Sequence, residues 1–294
     1  MQFRTVTFPS SLTSGQPFAN QPLEALEYTH PLLQRNKVRV IGSGDQVLLF
    51  CHGFGCSQQI WRYLTTSLAT RYKLVLFDYV GSGESDLQAY EPVKYSSLDG
   101  YAQDIVDICQ VLNLRDVVLV GHSIGATIAM LAAIQEPSYF SKIIMLAPSP
   151  CYTNEPGYHG GFDREDILQL LQLMDADYTS WANMFATILM GARNESSLGE
   201  ELAGFFCNTD PQIAKQFATT AFLADNRAEV PLLTIPTLIL QCSQDAVAPE
   251  EVGEFLHTHL PQSTLVKLQA TGHCPHLSAP LETLKAMDAF LSAN

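Results

Sequence analysis

The fold is decided by residues 117–125, whose sequence is Val-Val-Leu-Val-Gly-His-Ser-Ile-Gly. The first four residues are apolar and mostly β-branched, which predicts a buried strand. Residues 126–133, Ala-Thr-Ile-Ala-Met-Leu-Ala-Ala, predict a buried helix. A strand, a G-x-S-x-G turn and a helix form a nucleophile elbow, in which a strained backbone projects the serine hydroxyl above the sheet. Ser123 is therefore the candidate nucleophile, and the glycines around it let the strand and the helix pass close together.

Predicted strands alternate with predicted helices on both sides of this elbow. Such alternation is typical of right-handed crossovers in a mostly parallel, doubly wound α/β sheet. The first two strands flank the turn Gly42–Asp45, which predicts a hairpin and an antiparallel edge on the sheet. In chain order, the predicted strands are residues 37–41, 47–50, 74–77, 117–120, 143–147, 237–241 and 263–268.

The alternation stops between residues 151 and 225, where no strand is predicted. An insertion after the carboxyl end of a strand lies above the active face of such a sheet, so this segment is predicted to form a helical lid. The α/β core then comprises residues 34–150 and 226–294. Helical stretches in the lid are predicted around residues 166–174, 178–190, 200–206 and 211–224.

Residues 1–33 are rich in Pro, Ser, Gln and Asn and show no sustained hydrophobic period. They are expected to form a flexible N-terminal extension, with a cleaved transit segment as the weaker alternative. We expect no signal peptide, and no apolar run approaches the roughly 20 residues of a membrane span. Seven cysteines, an odd number without a C-x-x-C pair, predict free buried thiols and a cytoplasmic location.

The charge of the chain restricts its partners. The 294 residues carry a formal net charge of −14, from 30 acidic and 16 basic side chains. This balance argues against nucleic acid or an anionic membrane as a partner. Hydrophobic residues make up 47% and charged residues 16% of the chain, which suits a sizeable core and excludes global disorder.

The candidate nucleophile needs two partners. A serine hydroxyl requires a general base within hydrogen-bond reach, and the base requires an acid that orients it. In elbow enzymes the acid and then the base follow the serine, each after the end of a later strand. Asp245 and His273 follow the last two predicted strands, so Ser123, Asp245 and His273 are the predicted catalytic residues. A helix-capping aspartate and a surface histidine are the structural alternatives, and His276 is a competing base.

Two backbone N–H groups are expected to form the oxyanion hole. One belongs to Ile124, the residue after the nucleophile, and the other to Phe54, in the loop after the second predicted strand. His52 precedes Phe54 in this loop and either holds the loop or fills space. The C-terminal histidines lack the spacing of structural zinc ligands, so we expect neither a metal nor a cofactor.

The predicted lid is aromatic and carries no convergent charge, which favours a small, mostly apolar ester or lactone as the ligand. Trp181 and Phe185 are four residues apart on one helix face and either line a pocket or belong to the core of the lid. His122, beside the nucleophile, is expected to contact the substrate; adjacent residues on a turn point apart, so it is not expected to act as the base.

From about residue 36 to the C-terminus, the chain resembles the RsbQ-like α/β-hydrolases, which include the plant strigolactone and karrikin receptors. The shared motifs are His-Gly-Phe-Gly (52–55), Asp-Tyr-Val-Gly-Ser-Gly (78–83), Leu-Asp-Gly-Tyr-Ala-Gln-Asp (98–104), Gly-His-Ser-Ile-Gly-Ala (121–126), Ser-Pro-Cys-Tyr (149–152), Gly-Gly-Phe (160–162) and Gly-His-Cys-Pro-His-Leu-Ser (272–278). The resemblance implies an α/β-hydrolase fold with a V-shaped lid of four helices. It implies the same catalytic and oxyanion residues, and a lid pocket containing Trp181, Phe185 and, less securely, Phe222.

The resemblance also implies a function. Such a protein would be a slow serine hydrolase whose bound ligand serves as a signal, with a signalling protein docking at the lid. Two departures from the family pattern stand out: Gly125 replaces the serine of the plant receptors, and residues 1–33 extend beyond the usual start. The first argues against plant-hormone perception, and neither affects the predicted catalytic residues. An ordinary metabolic carboxylesterase or lactonase is the alternative from the catalytic residues alone, and a non-hydrolytic lyase or oxygenase is a third.

Overall fold

A sheet of seven strands forms the centre of the computed structural model, which describes residues 30–293. The strand order is β1-β3-β2-β4-β5-β6-β7, and every neighbouring pair after β1–β3 is parallel. The α/β class and the mostly parallel sheet are thus confirmed. The strands are β1 Arg39–Ile41, β2 Val47–Cys51, β3 Lys73–Leu76, β4 Val117–His122, β5 Phe140–Leu146, β6 Thr237–Ser243 and β7 Ser263–Thr271.

The predicted hairpin between β1 and β2 is wrong. β1 is the antiparallel edge strand, but it pairs with β3, and β2 lies between β3 and β4. Both edges of β2 are occupied by parallel neighbours, so only the outer edge of β3 is open to β1. The intervening Gly44 crosses the backbone of Arg71, whose carbonyl oxygen would lie 2.1 Å from a Cβ at this glycine. The turn therefore carries the chain across the sheet end instead of closing a hairpin.

The helices that flank the sheet come from the segments between the strands and after β7. Burial is almost complete in the helix after β4, which has no polar face. These helices are α2 Arg62–Leu68, α3 Leu98–Val111, α4 Ile124–Gln135, α9 Glu250–His259, α10 Pro275–Ser278 and α11 Pro280–Leu291. In the described range, no helix has the length and apolar composition that crossing a bilayer requires.

Four further helices lie between β5 and β6, and we call them the lid helices. Their bounds are α5 Arg164–Ala176, α6 Tyr178–Met190, α7 Ser196–Cys207 and α8 Pro211–Phe222. Their buried aromatic side chains meet the loop after β2: the rings of Phe206 and Phe54 are 5.8 Å apart. A Cβ at Gly55 would lie 1.9 Å from the Phe206 ring, so the lid helices pack directly on this loop. The lid helices therefore cover the carboxyl ends of the central strands.

The predicted boundary after residue 33 falls inside a helix. Residues 1–29 of the expected N-terminal extension lie outside the described residues. The described chain continues with α1 Pro31–Arg35, in which Leu33 is 2% exposed. The backbone of Asn36 accepts a hydrogen bond from the Asp78 N–H at 2.8 Å. Within residues 30–293, the packed core therefore already includes α1, before residue 34.

Asp104, on α3, attaches α1 to the body of the protein. Its fully buried carboxylate accepts hydrogen bonds from Arg35 at 2.8 Å, Lys94 at 2.6 Å and the Tyr95 hydroxyl at 3.0 Å. A buried carboxylate is stable only where cations and donors satisfy it, and here two cations converge on one oxygen. The network joins three separate segments of the chain.

We expect Asp104→Asn to lower the free energy of unfolding by about 2–4 kcal/mol, because two half-buried cations lose their carboxylate. Urea unfolding followed by circular dichroism measures this change. Asp107→Asn is the matched control on the same helix: Asp107 lies 3.8 Å from the same arginine, and its side chain is 24% exposed. Its loss should remain below about 1 kcal/mol. Equal losses in the two variants would show that the buried network around Asp104 stabilises the fold no more than the exposed contact of Asp107 does.

Candidate active site

Ser123 lies at the junction of β4 and α4 with backbone angles of φ 55° and ψ −130°. This conformation with positive φ is costly for a residue with a Cβ, and it is the strain expected of a nucleophile elbow. A Cβ at Gly121 would lie 2.4 Å from the Ala126 Cα, and one at Gly125 would lie 2.3 Å from the His52 carbonyl oxygen. Strand and helix therefore pass at a distance that only glycine permits, as the sequence predicts.

The three predicted catalytic side chains are joined by hydrogen bonds. His273 Nε2 is 2.7 Å from Ser123 Oγ, and His273 Nδ1 is 2.7 Å from Asp245 Oδ2. A carboxylate only accepts, so Nδ1 carries the proton and Nε2 is free to accept the serine hydroxyl. All three side chains are buried, since the exposed fractions are 7%, 1% and 7% for Ser123, His273 and Asp245. The arrangement can draw a proton from the serine hydroxyl onto the imidazole.

Asp245 also has a structural role. Its other oxygen, Oδ1, accepts the backbone N–H groups of Val247 at 2.9 Å and Ala248 at 3.1 Å. These bonds fix the turn that precedes α9. The carboxylate is thereby held in one orientation while its second oxygen faces His273, so the loop role and the orienting role are combined in one side chain.

His276, the competing base, is not bonded to Ser123. Its ring is fully buried against Trp61, at 4.8 Å between centroids, and neither ring nitrogen has a hydrogen-bond partner among residues 30–293. Burial and the nearby Arg62 lower the pKa of His276 to about 3. The side chain is therefore a neutral packing element behind the catalytic loop.

His122 supports the catalytic histidine from the side of the sheet. Its Nε2 lies 2.9 Å from the carbonyl oxygen of His273, so Nε2–H donates to that carbonyl. Burial, with the neighbouring His276 and His273, holds the pKa of His122 well below its ordinary value. The ring is therefore neutral and carries its single proton on Nε2. It also borders the cavity described below, where it was expected to contact the substrate.

His52 holds the predicted oxyanion loop. Its Nδ1–H donates to the Gly53 carbonyl at 2.8 Å, and its Nε2 accepts the Tyr79 N–H at 3.2 Å. Burial lowers the pKa of His52 to about 4, which keeps this tautomer neutral. Ile124 is the first residue of α4, so its N–H is one of the four that have no partner within the helix. Phe54 and Ile124 both line the cavity beside Ser123.

A narrow apolar cavity opens above the serine. The volume within which the centre of a water molecule can lie is about 20 Å³, so the cavity holds roughly one water. Larger ligands therefore require the side chains around the cavity to move. The lining residues are Phe54, Cys56, His122, Ser123, Ile124, Tyr152, Phe185, Leu189, Leu202, Phe222, Val247, His273 and Cys274.

Two of the three predicted lid contacts line this cavity, and the third lies behind them. Phe185 and Phe222 are part of the lining. Trp181 stacks on Phe185 at 5.1 Å, with only 17° between the ring planes, and is not among the lining residues. The sequence places both rings on one helix face, but only the tertiary packing decides which of them reaches the cavity. Trp181 therefore supports Phe185 from the lid side.

Tyr152 is a residue of the site that the sequence analysis missed. Its hydroxyl lies 3.1 Å from Ser123 Oγ, and the side chain is 1% exposed. The serine proton is directed at His273, so the tyrosine O–H donates to the serine oxygen. Burial raises the pKa of Tyr152, which keeps this donor protonated. The available signals were its place in the shared Ser-Pro-Cys-Tyr motif (149–152) and its position six residues after β5, the strand that pairs with the elbow strand β4.

The thiols of Cys56 and Cys274 also face the cavity. Burial raises the pKa of both, so they stay protonated at neutral pH while Ser123 has a bonded base. The seven cysteines of the chain are all free, and of these Cys207 alone is exposed. Among the residues that the structure describes, no three His, Cys, Asp or Glu side chains are grouped as a metal site.

Comparisons with known proteins agree with the α/β fold described above. The profile of the alpha/beta hydrolase family matches residues 48–286. The chain is 37% identical to a probable esterase of Oryza sativa subsp. japonica, over 84% of this chain and 92% of the relative. It is also 37% identical to the karrikin insensitive 2 receptor IA of Petunia hybrida, over 88% and 94%. A solved hydrolase from Oleispira antarctica superposes with a TM-score of 0.88 and 40% identity, over 90% and 97%.

Proposed function

Because the chain belongs to the alpha/beta hydrolase family, we propose that it hydrolyses a small, mostly apolar ester or lactone through an acyl-enzyme. We further propose that turnover is slow and that the protein acts as a ligand sensor. The observation that carries the hydrolytic part is the chain of hydrogen bonds from Ser123 through His273 to Asp245, beneath an apolar cavity. These three hydrogen-bonded side chains would supply a nucleophile, its base and the acid that orients the base.

In the first half of the reaction, Ser123 Oγ attacks the carbonyl carbon while His273 Nε2 takes the serine proton. The carbonyl oxygen becomes an oxyanion, which the backbone N–H groups of Phe54 and Ile124 would stabilise. Collapse of this intermediate breaks the bond to the leaving alcohol oxygen, which receives the proton from His273. The acyl group remains on Ser123, and for a lactone the leaving alcohol stays attached to the acyl chain.

In the second half, water attacks the acyl carbon and His273 takes a proton from that water. The bond to Ser123 Oγ breaks, the serine recovers its proton from His273, and the acid product leaves. Asp245 stabilises the imidazolium that forms in each half-reaction. The bond from His122 to the His273 carbonyl supports the same ring position throughout.

The narrowness of the cavity supports slow turnover. An ester larger than a water molecule enters only when the aromatic side chains of the lid helices move, and such conformational steps often limit turnover. One relative at 37% identity is named a receptor and another a probable esterase, which supports a protein that both cleaves and senses.

A surface on the lid supports the docking of a signalling protein. Large apolar side chains are exposed on α5 and α6: Leu168, Leu173, Met184 and Ile188 are 38–49% exposed. These side chains lie on the helices that cover the cavity, so the binding of a partner there would depend on whether a ligand occupies the cavity. A metabolic carboxylesterase or lactonase is the second candidate, and the fully hydrogen-bonded catalytic side chains favour it.

We expect Ser123→Ala and His273→Ala each to lower kcat on a p-nitrophenyl ester by at least about 10³-fold, because each removes a member of one catalytic unit. Release of p-nitrophenol measures the rate. His257→Ala is the control, since His257 is exposed and bonds Ser263 away from the site. If His273→Ala kept the activity of the unaltered protein, His276 would replace it as the base.

We expect Tyr152→Phe to lower kcat by about 5- to 30-fold, because the oxygen of Ser123 loses a buried neutral donor worth about 1–2 kcal/mol. The same ester assay measures this effect. Tyr158→Phe is the matched control: its hydroxyl donates to the Cys151 carbonyl in the same segment, away from the serine. If the activity fell equally in both variants, the Tyr152 hydroxyl would contribute only to the packing of its loop.

Turnover and ligand response distinguish the two candidate functions. For a sensor we expect kcat below about 1 s⁻¹ on every member of a panel of small esters and lactones. In that case a ligand from the panel should raise the melting temperature of Ser123→Ala, which binds without cleaving. A kcat above about 10 s⁻¹ on any member, with no shift in melting temperature, would favour the metabolic enzyme.

A further inference from the structure

The backbone of the catalytic histidine is hydrogen-bonded directly to a lid helix. The N–H of His273 donates to the carbonyl of Leu189 at 2.7 Å. Leu189 is the penultimate residue of α6, so its carbonyl is one of the last four that lack a partner within the helix. The side chain of the same Leu189 lines the cavity above Ser123. One residue thus contacts both the ligand space and the catalytic base.

Asn194 fastens the same helix end to the strand that leads to His273. Its Nδ2 donates to the carbonyl of Met190, the last residue of α6, at 2.5 Å, and to the carbonyl of Thr271, the last residue of β7, at 2.8 Å. A single amide group therefore satisfies two backbone carbonyls that neither element can satisfy alone. Thr271 lies two residues before His273, so this clamp acts on the catalytic loop itself.

The helix end and the catalytic loop are in close backbone contact. Gly272 has a positive φ of 78°, and a Cβ there would lie 2.2 Å from the Met190 carbonyl oxygen. No side chain separates the two backbones, so the end of α6 has no room to move toward the loop. Moving away would break the bonds of His273 and Asn194. The opposite side of the loop is held by His122, whose Nε2–H donates to the His273 carbonyl.

The rest of α6 faces the ligand. Phe185, one turn before Leu189, also lines the cavity, and Trp181 packs behind it. A ligand that enlarges the narrow cavity contacts two side chains of this helix, Phe185 and Leu189. Because the carboxyl end of α6 is bonded to the catalytic loop, a displacement of this helix reaches His273 through the backbone hydrogen bond from the His273 N–H to the Leu189 carbonyl.

We propose that Asn194 is a positioning residue that couples the lid to the catalytic base. It holds the carboxyl end of α6 against Thr271, and through this contact it sets where the His273 imidazole lies relative to Ser123 and Asp245. The inference rests on the proposed hydrolytic role of Ser123 and His273. It adds that occupancy of the lid pocket and reactivity of the base are linked through one side-chain amide.

The test compares Asn194→Ala with Asn183→Ala. Asn183, on α6 itself, is the matched control: it is exposed, and its Nδ2 donates within the helix, to the Thr179 carbonyl. We expect Asn194→Ala to lower kcat on a p-nitrophenyl ester by about 10- to 100-fold, with KM changed less than about threefold, since small misplacements of a catalytic group are costly. The control should keep the kcat of the unaltered protein.

A fluorophosphonate probe separates this inference from the proposed function. It phosphonylates Ser123 only when His273 activates the serine, and its rate does not depend on the natural ligand. We expect labelling of Asn194→Ala to slow by a factor similar to that for kcat. If the unaltered protein labelled no faster than Ser123→Ala, the proposed function would fail and the inference with it. Rapid labelling of both the unaltered protein and Asn194→Ala would overturn the inference alone.

Proton NMR gives a readout that a purely structural role would leave unchanged. The proton between His273 Nδ1 and Asp245 Oδ2 should resonate far downfield, because the 2.7 Å bond is buried and charge-assisted. We expect the resonance to shift or broaden in Asn194→Ala and to stay in place in Asn183→Ala. Asn194→Leu, which keeps about the size of the side chain and removes both donors without adding a charge, should behave like Asn194→Ala and guards against a loss of folded protein. An unmoved resonance in both Asn194 variants would contradict the coupling.

Discussion

The close passage of β4 and α4 at Ser123 is the constraint on which the rest of the structure depends. Gly121 and Gly125 leave no room for a Cβ between this strand, this helix and the backbone of the neighbouring β2. The strained serine is held in place because its N–H donates to the Leu146 carbonyl at 2.9 Å, at the end of β5. The elbow therefore needs β2 and β5 as parallel neighbours of β4, and this requirement fixes the centre of the sheet.

Three buried histidines of the site have structural roles that differ from that of His273. His52, His122 and His276 have pKa values lowered by burial, so each remains a neutral ring with a fixed position. His52 holds the oxyanion loop and His122 holds the catalytic loop. His273 differs because a carboxylate accepts its Nδ1–H, which in the proposed reaction would stabilise the imidazolium. In the proposed reaction, positive charge is therefore confined to the His273 ring.

The lid helices belong to the site as much as the sheet does. Phe185 and Phe222 close the cavity, and Trp181 supports Phe185 from outside. The carboxyl end of α6 supplies the acceptor for the His273 N–H. The lid is thus bonded to the backbone of His273, and little volume is left above the serine. The same helix, α6, lines the space for the ligand and bonds the backbone of His273.

Local patterns in the sequence determined the elements and the order of the reacting groups. The apolar run before Ser123, the helical periods of the lid and the positions of Asp245 and His273 after late strands all follow from short-range chemistry. The tertiary structure alone decided the pairing of β1 with β3, because that choice depends on which strand edges remain open. It likewise decided that Trp181 lies behind Phe185, that Tyr152 reaches the serine, and that Asn194 reaches Thr271. Most of these contacts join residues far apart in the chain, and hydrophobic periodicity carries no information about which distant groups meet.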